Sequence, residues 1–253
     1  MDSKQSKRTS ALSLKPIPTG KASVPKRMGL YMSNSNEMMD AAQYAWLVLG
    51  SQKNILIDCA GMIDMERMKS HGLEAEVLGN IEESLKIEGL SPKDIDIIIA
   101  THLHAEHIVS AKNFPRAKII VQKRELIGAL NPCPVLQWIY PQEIIKPLFE
   151  ANRFELVDGD VEIEPGITLM LTPGHSAGGQ SVLLQAGDKT VVVTGFCCCD
   201  ENFFPSDPKL SYTLMAIFEE VIPAYQNLIK VKKMADIVVP LHEARFINVD
   251  RIP

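Results

Sequence analysis

Hydrophobic residues along the chain gather in short runs separated by turn residues. Tyr44–Gly50 and Asn54–Asp58 read as two strands, joined by a hairpin turn at Gly50-Ser-Gln-Lys. Leu73, Val77, Ile81 and Leu85 recur every four positions and predict one face of a helix that Gly89 ends. Ser91-Pro92 has the form of an N-cap followed by proline at the first helical position. Asp96-Ile-Ile-Ile-Ala100 is the kind of apolar run that a sheet buries on both faces. Lys118–Gln122 is a further strand, and Glu125–Asn131 a short helix closed by Pro132. In the second half, Phe154–Val157, Val161–Ile163, Ile167–Leu171, Ser181–Leu184 and Thr190–Thr194 are predicted strands between Asp-Gly, Pro-Gly and Gly-Asp turns. Residues 211–234 are predicted as one long helix kinked at Pro223, and Asp236–Pro240 as a last strand. Each half is a set of strands closed by helices, with no linker between them. A single domain of α/β (α+β) type over residues 28–253 is the expectation.

Composition narrows the class. With 253 residues, 46% of them hydrophobic, the chain can build a sizeable core, which excludes disorder and disulfide-dependent mini-proteins. No apolar run approaches the roughly 18 residues of a membrane span, and no apolar stretch follows the first charges as in a secretory leader. Charge is uneven. Residues 1–27 hold seven basic side chains and one acidic (Asp2), which leaves 19 basic and 30 acidic in the remainder. Residues 1–27 are therefore expected as a solvated basic tail leading into the first strand. The acidic remainder is a poor match for nucleic acid. Five cysteines, three of them adjacent at 197–199, argue against a disulfide framework and point to a reducing cytoplasm.

The histidines carry the chemistry. Five of six stand at or just after predicted strand ends: Thr101-His102-Leu-His104-Ala-Glu106-His107, Pro173-Gly-His175 and Pro240-Leu-His242. Loops at strand ends are where α/β proteins place functional groups. Neutral imidazole with carboxylate suits zinc, iron or manganese. His71 fits no such pattern and reads as an exposed loop residue.

These three motifs, in this order, resemble the motif series of the metallo-β-lactamase superfamily. Ile57-Asp58-Cys-Ala-Gly61 resembles that family's early Asp-Thr-Gly turn. Val121-Gln-Lys-Arg-Glu125, Val157-Asp-Gly-Asp160, Gly174-His-Ser176 with Gln180-Ser181, and Glu201-Asn-Phe203 are most similar to the N-acyl-homoserine lactonase group. The resemblance implies a four-layer αββα sandwich with one or two divalent ions, zinc first, at one edge. One site would hold His102, His104 and His175; the other Glu106, His107 and His242. It also implies a small-molecule substrate and leaves a homodimer open.

Two departures matter. Glu106 stands where the family has Asp, moving the carboxylate by about 1.5 Å. The family's bridging Asp has no counterpart: Phe196 or Gly195 falls there, according to the alignment, and neither binds metal. Cys197 is the nearest replacement, either as a thiolate ligand or as a small buried hydrophobe. Asp200 is a second one if its loop folds back. An ion with an open position lowers the pKa of its water toward 7, and Glu106 is the candidate proton carrier. The expected activity is hydrolysis of a lactone or related ester, with Phe196, Phe203, Phe204, Trp138 and Tyr140 as candidate pocket walls. A glyoxalase-type thioesterase, an iron-dependent persulfide oxidase and a non-catalytic metal-binding protein remain as alternatives.

Overall fold

The computed structural model describes residues 11–61 and 65–253. Among them, the strands are β1 (Ser13–Pro25), β2 (Met38–Leu49), β3 (Ile55–Ile57), β4 (Glu74–Val77), β5 (Ile97–Ile99), β6 (Lys118–Gln122), β7 (Phe154–Val157), β8 (Val161–Glu164), β9 (Ile167–Leu171), β10 (Gln180–Ala186), β11 (Lys189–Val193) and β12 (Ile237–Val239). The α-helices are α1 (Met65–Ser70), α2 (Ile81–Ile87), α3 (Ala105–Ile108), α4 (Lys123–Leu130), α5 (Gln142–Glu150), α6 (Asp200–Phe203) and α7 (Val221–Met234). Seven strands form one sheet in the order β4-β1-β2-β3-β5-β6-β7, and five form a second in the order β12-β11-β10-β9-β8.

Side-chain alternation stacks these sheets between helices. In β2, Ala45 and Leu47 pack with the helices α2 to α5, whereas Tyr44, Trp46 and Val48 face the second sheet. In β5 and β6, Ile98, Ile119 and Val121 go outward and Ile97, Ile99 and Ile120 inward. In β11, Val191 and Val193 meet the first sheet while Val192 packs under α7. Period-2 side-chain direction with both faces apolar requires a cover on each face. Three cores therefore separate four layers, the αββα sandwich expected. No helix among the described residues is long and apolar enough to cross a membrane.

Several elements depart from expectation. The stretch read as a basic tail contains β1, the long partner of β2, so the chain joins the sheet at Ser13. Its lysines are neutralised by acids of the body: Lys15 by Glu88, Lys21 by Asp40 and Glu76, Lys26 by Glu37 and Glu201. Residues 1–10, which hold Lys4, Lys7 and Arg8, lie outside the described residues. The helix read through Leu73 and Val77 starts only at Ile81, because Asn80 caps it by accepting a hydrogen bond from the Glu83 amide. Residues 74–77 pair instead with β1; a period of two also repeats every four residues. Pro223 lies in the first turn of α7, where it is tolerated, and residues 211–220 run ahead of the helix in irregular form.

The ends of β3, β5, β9, β11 and β12 converge on one edge of the sandwich. Each of the strand-end motifs is delivered there by a different strand. Close approach at two glycines permits this. A Cβ on Gly174 would lie 2.3 Å from the Ala224 amide nitrogen of α7, and one on Gly195 would lie 2.3 Å from the Gln180 carbonyl carbon.

Candidate metal centre

The sequence-predicted histidines meet at this edge. His102, His104, His175 and Cys197 present ligand atoms within 4.8 Å of one another, and so do His102, Glu106, His107 and Cys197. His242 lies alongside, its ring 5.3 Å from that of His107, but outside both sets. Glu106, despite its extra methylene, reaches the second set. Asp200 does not take part: it opens α6 and pairs with Arg245 at 2.7 Å. Phe196 is buried in the core under α7, and Gly195 packs on the β10 backbone. The side chain that enters the centre from this strand end is Cys197. Its sulfur lies 3.4 Å from His107 Nε2, 3.6 Å from His102 Nε2 and 3.7 Å from Glu106 Oε1.

Hydrogen bonds aim the imidazoles. His107 Nδ1 donates to Asp58 Oδ2 at 2.8 Å, His175 Nδ1 to the Ile217 carbonyl at 2.7 Å, and His242 Nδ1 to the Ala42 carbonyl at 2.8 Å. Thr101 Oγ1 donates its single proton to Asp58 Oδ2 at 2.9 Å and so accepts from His102 Nδ1 at 3.1 Å. Four rings thus carry their proton on Nδ1 and turn Nε2 toward the centre, the arrangement that orients metal-ligating histidines. His104 and His175 leave Nε2 buried with no hydrogen-bond partner. A buried, unpaired ring nitrogen is costly unless an ion takes its lone pair. The residues present therefore fit a bound divalent metal.

Asp58 organises this network and was not assigned a role from the sequence. It is fully buried, with its backbone in the left-handed region at φ 56°. Its carboxylate accepts from the Thr101 amide and hydroxyl as well as from His107. An aspartate tolerates this backbone better than most residues, and the strain is held by the surrounding bonds. Glu125 does similar work between loops, accepting from the Leu103 amide at 2.9 Å and the Gly178 amide at 2.8 Å. The signal that could have identified both is an acidic residue within three positions of the end of an apolar strand, where burial demands a partner.

Electrostatics follow from burial. Desolvation, then the neighbouring rings, push His102 and His104 well below the ordinary histidine value; desolvation drives His175 down to about 4. Burial would lower His107 too, but the Asp58 carboxylate prevails and raises it. Burial alone would raise Glu106, yet charge on His107, His104 and His242 holds it down to about 2. The lowered rings and the ionised Glu106 are thus in the forms that bind metal, whereas His107 has to give up a proton to an incoming ion.

A cleft of about 380 Å³ opens onto the centre. Its wall carries Met28, Met39, Met68 and Met215, with Val24, Leu73, Trp138 and Ile217. Of the aromatics expected in the wall, Trp138 is there. Tyr140 instead buttresses His104, ring to ring at 4.9 Å, while Phe203 is core and Phe204 is exposed elsewhere under Lys232. His71 is exposed, as expected, but it also lines this cleft.

Ligands delivered by strand ends to one edge of an αββα sandwich, below an open cleft, define a metal-dependent hydrolase. The chain belongs to the metallo-beta-lactamase superfamily, which it matches over residues 39–195. It is 26% identical over 234 residues to an N-acyl homoserine lactonase of Bacillus thuringiensis, covering 84% of this chain and 89% of that protein. A shorter stretch of 110 residues, 43% of this chain and 40% of the relative, is 34% identical to an N-acyl homoserine lactonase of Bacillus cereus. Among solved structures, an N-acyl homoserine lactone hydrolase with its product N-hexanoyl-L-homoserine at the catalytic metal centre is similar with a TM-score of 0.73. That match has 23% identity and covers 93% of this chain and 95% of the other. AidC, a dizinc quorum-quenching lactonase, is similar with a TM-score of 0.72 and 19% identity over 96% of this chain and 90% of its own. Both structural likenesses show the fold. The superfamily and the lactonase resemblance read from the motifs are borne out.

Proposed function

We propose that the chain hydrolyses lactones, or related esters, that carry an apolar acyl substituent, using one or two divalent ions held by His102, His104, His175, Glu106, His107 and His242. The observation that carries this reading is the pairing of the two overlapping ligand sets with an apolar cleft directly above them. When bound, such ions polarise a carbonyl oxygen and lower the pKa of water. Glu106, partly open to the cleft, takes the proton of the attacking water and returns it to the oxygen that leaves when the ring opens.

The cleft wall sets the substrate class. Met39, Ala41 and Gln43 alternate along β2 and face it, beside Ala22 and Val24 of β1; Ala22 pairs with Ala41 and Val24 with Met39. From Gln43 to Met39 this trough runs about 13 Å, room for an acyl chain of roughly eight to ten carbons. Ala41 and Ala22 line its middle, Met39 and Val24 one end and Gln43 the other. Gln43 and His71 offer polar contacts to a head group. No described Lys or Arg side chain lines the cleft, which disfavours an anionic glutathione thioester.

The test is ring opening of acyl-homoserine lactones of graded chain length, followed by proton release, with an aryl ester and a glutathione thioester alongside. Lactones of eight to ten carbons should be turned over fastest. Preference for the thioester would shift the reading to the glyoxalase type. Metal-replete protein inert on every substrate would overturn hydrolysis altogether.

A further inference from the structure

Two residues belong to both ligand sets, His102 and Cys197. They are not equivalent. The lone pair of His102 Nε2 can serve one ion, and its Nδ1 is committed to Thr101 Oγ1, so this ring cannot span two. A thiolate sulfur has three lone pairs and can. Edge lengths agree with that division. Bonds of about 2.3 Å to sulfur and about 2.05 Å to nitrogen, set at a tetrahedral angle, put the two ligand atoms about 3.5 Å apart. Cys197 Sγ makes such an edge twice, at 3.6 Å with His102 Nε2 and at 3.4 Å with His107 Nε2. It makes a comparable edge of 3.7 Å with Glu106 Oε1. One edge belongs to the first set and the others to the second.

Two cations so close repel, and an anion between them offsets the repulsion. No carboxylate other than Glu106 enters either set among the described residues, and Glu106 enters only the second. Cys198 is turned away: its sulfur is within 3.2 Å of Thr194 Oγ1, in the core under α7. Cys199 caps α6, its sulfur 3.4 Å from Asn202 Oδ1.

We propose that Cys197 is the bridging ligand of a two-metal centre, its thiolate shared between an ion on His102, His104 and His175 and an ion on Glu106 and His107, with His242 alongside the second. Two metal–sulfur bonds form, the S–H bond breaks, and its proton goes to solvent. The inference rests on the metal centre of the proposed function but on no choice of substrate. A soft bridge favours zinc or cobalt over manganese or magnesium.

Cobalt(II) titration of the chelator-stripped full chain tests this without substrate. Two equivalents should bind, and the near-ultraviolet sulfur-to-cobalt charge-transfer band should grow through both. Cys197→Asp should keep two equivalents and lose the band; Cys197→Ala should keep one. Cys198→Ala should leave band and stoichiometry unchanged. In wild-type protein, Cys197 should be alkylated when stripped and protected when loaded, with exposed Cys133 reacting in both states. A band that saturates at the first equivalent, survives Cys197→Asp or vanishes in Cys198→Ala overturns the bridge and leaves the lactone reading standing. Failure to bind cobalt at all overturns both. Should Cys197→Ala not fold, the Asp variant and the wild-type band still decide.

Discussion

At the floor of the cleft, His102, His104, His107 and His175 are buried, and three of these rings are held by a hydrogen bond on the nitrogen that faces away from the centre. The wall above them is different material. Met28 is 50% exposed, Trp138 59%, and the methionines among them have three rotatable bonds each. The floor stands on strand ends, where neighbouring strands fix the backbone. The wall draws on β1 and β2, on α1 and the α1–β4 connection and on residues 215–217, and it presents apolar side chains to the cleft. The contrast separates two tasks. Ligands of an ion must be placed to a fraction of an ångström, which needs locked rings and a supporting shell. An acyl chain asks only for apolar surface that adapts to it. Mutations in the floor should therefore be read in metal and stability, and mutations in the wall in substrate preference.

The largest effect is expected at Asp58. Asp58→Ala leaves His107 and Thr101 without their acceptor, and removing one partner of a buried charged pair typically costs about 3–5 kcal/mol. Metal affinity should fall about 10–100-fold. Urea unfolding and chelator competition measure the two; a variant as stable and as tightly loaded as wild type would show that the floor does not depend on Asp58. Metal removal comes next. An ion present at about 1,000 times its Kd stabilises the folded chain by about 4 kcal/mol. Chelation should remove that increment in wild-type protein, and His102→Ala or His175→Ala should lack it from the start. Unchanged metal content in both variants would end the histidine assignment.

The third effect is a pH dependence of the stripped protein. Burial lowers His175 from 6.5 to about 4. Between those values the unfolded chain takes up a proton that the folded chain refuses, so stability is full above pH 6.5 and declines as pH falls toward 4. The slope is about 1.4 kcal/mol per unit, which makes the loss at most about 3 kcal/mol. His107, raised by Asp58, works in the opposite sense and loses its contribution as pH rises through its elevated value. Asp58→Asn should therefore steepen the acid loss. An apo stability flat from pH 7 to 4 would contradict the burial of these rings.

The smallest effect belongs to the wall. Ala41→Met fills the middle of the trough and should lower kcat/KM for a ten-carbon lactone relative to a four-carbon one by about tenfold. Cobalt stoichiometry should not change. An equal loss on both chains would place the acyl group somewhere other than along β2.

The elements legible in the chain were those whose pattern is unambiguous over a few residues. The apolar runs at 97–99, 118–122 and 189–193 are strands, and Gly89 ends α2. Where two periods coincide, as at Leu73 and Val77, only pairing with β1 distinguishes strand from helix. Basic residues in the first 27 positions read as solvated because their partners, Glu88, Asp40, Glu76 and Glu201, are distant in sequence. The α5 helix is not legible in the sequence because Pro141 and Pro147 argue against it locally, and its Ile144, Ile145 and Leu148 are secured by packing on the first sheet.

The same division runs through the site. Residues 102–107 are neighbours whatever the fold, so their spacing alone points to a metal ligand cluster, and His175 and His242 are brought beside it because each follows a short apolar strand. Local order has no means of choosing among Phe196, Cys197 and Asp200, or of pairing Asp58 with His107 and Thr101. Those choices are made across 43 to 95 residues of chain. They depend on β3 lying beside β5 in parallel register and on β11 lying beside β12, which brings the strand ends to one edge. Strand register is an outcome of packing three cores at once, and so the contact between Cys197 and the histidines exists only in the folded sandwich.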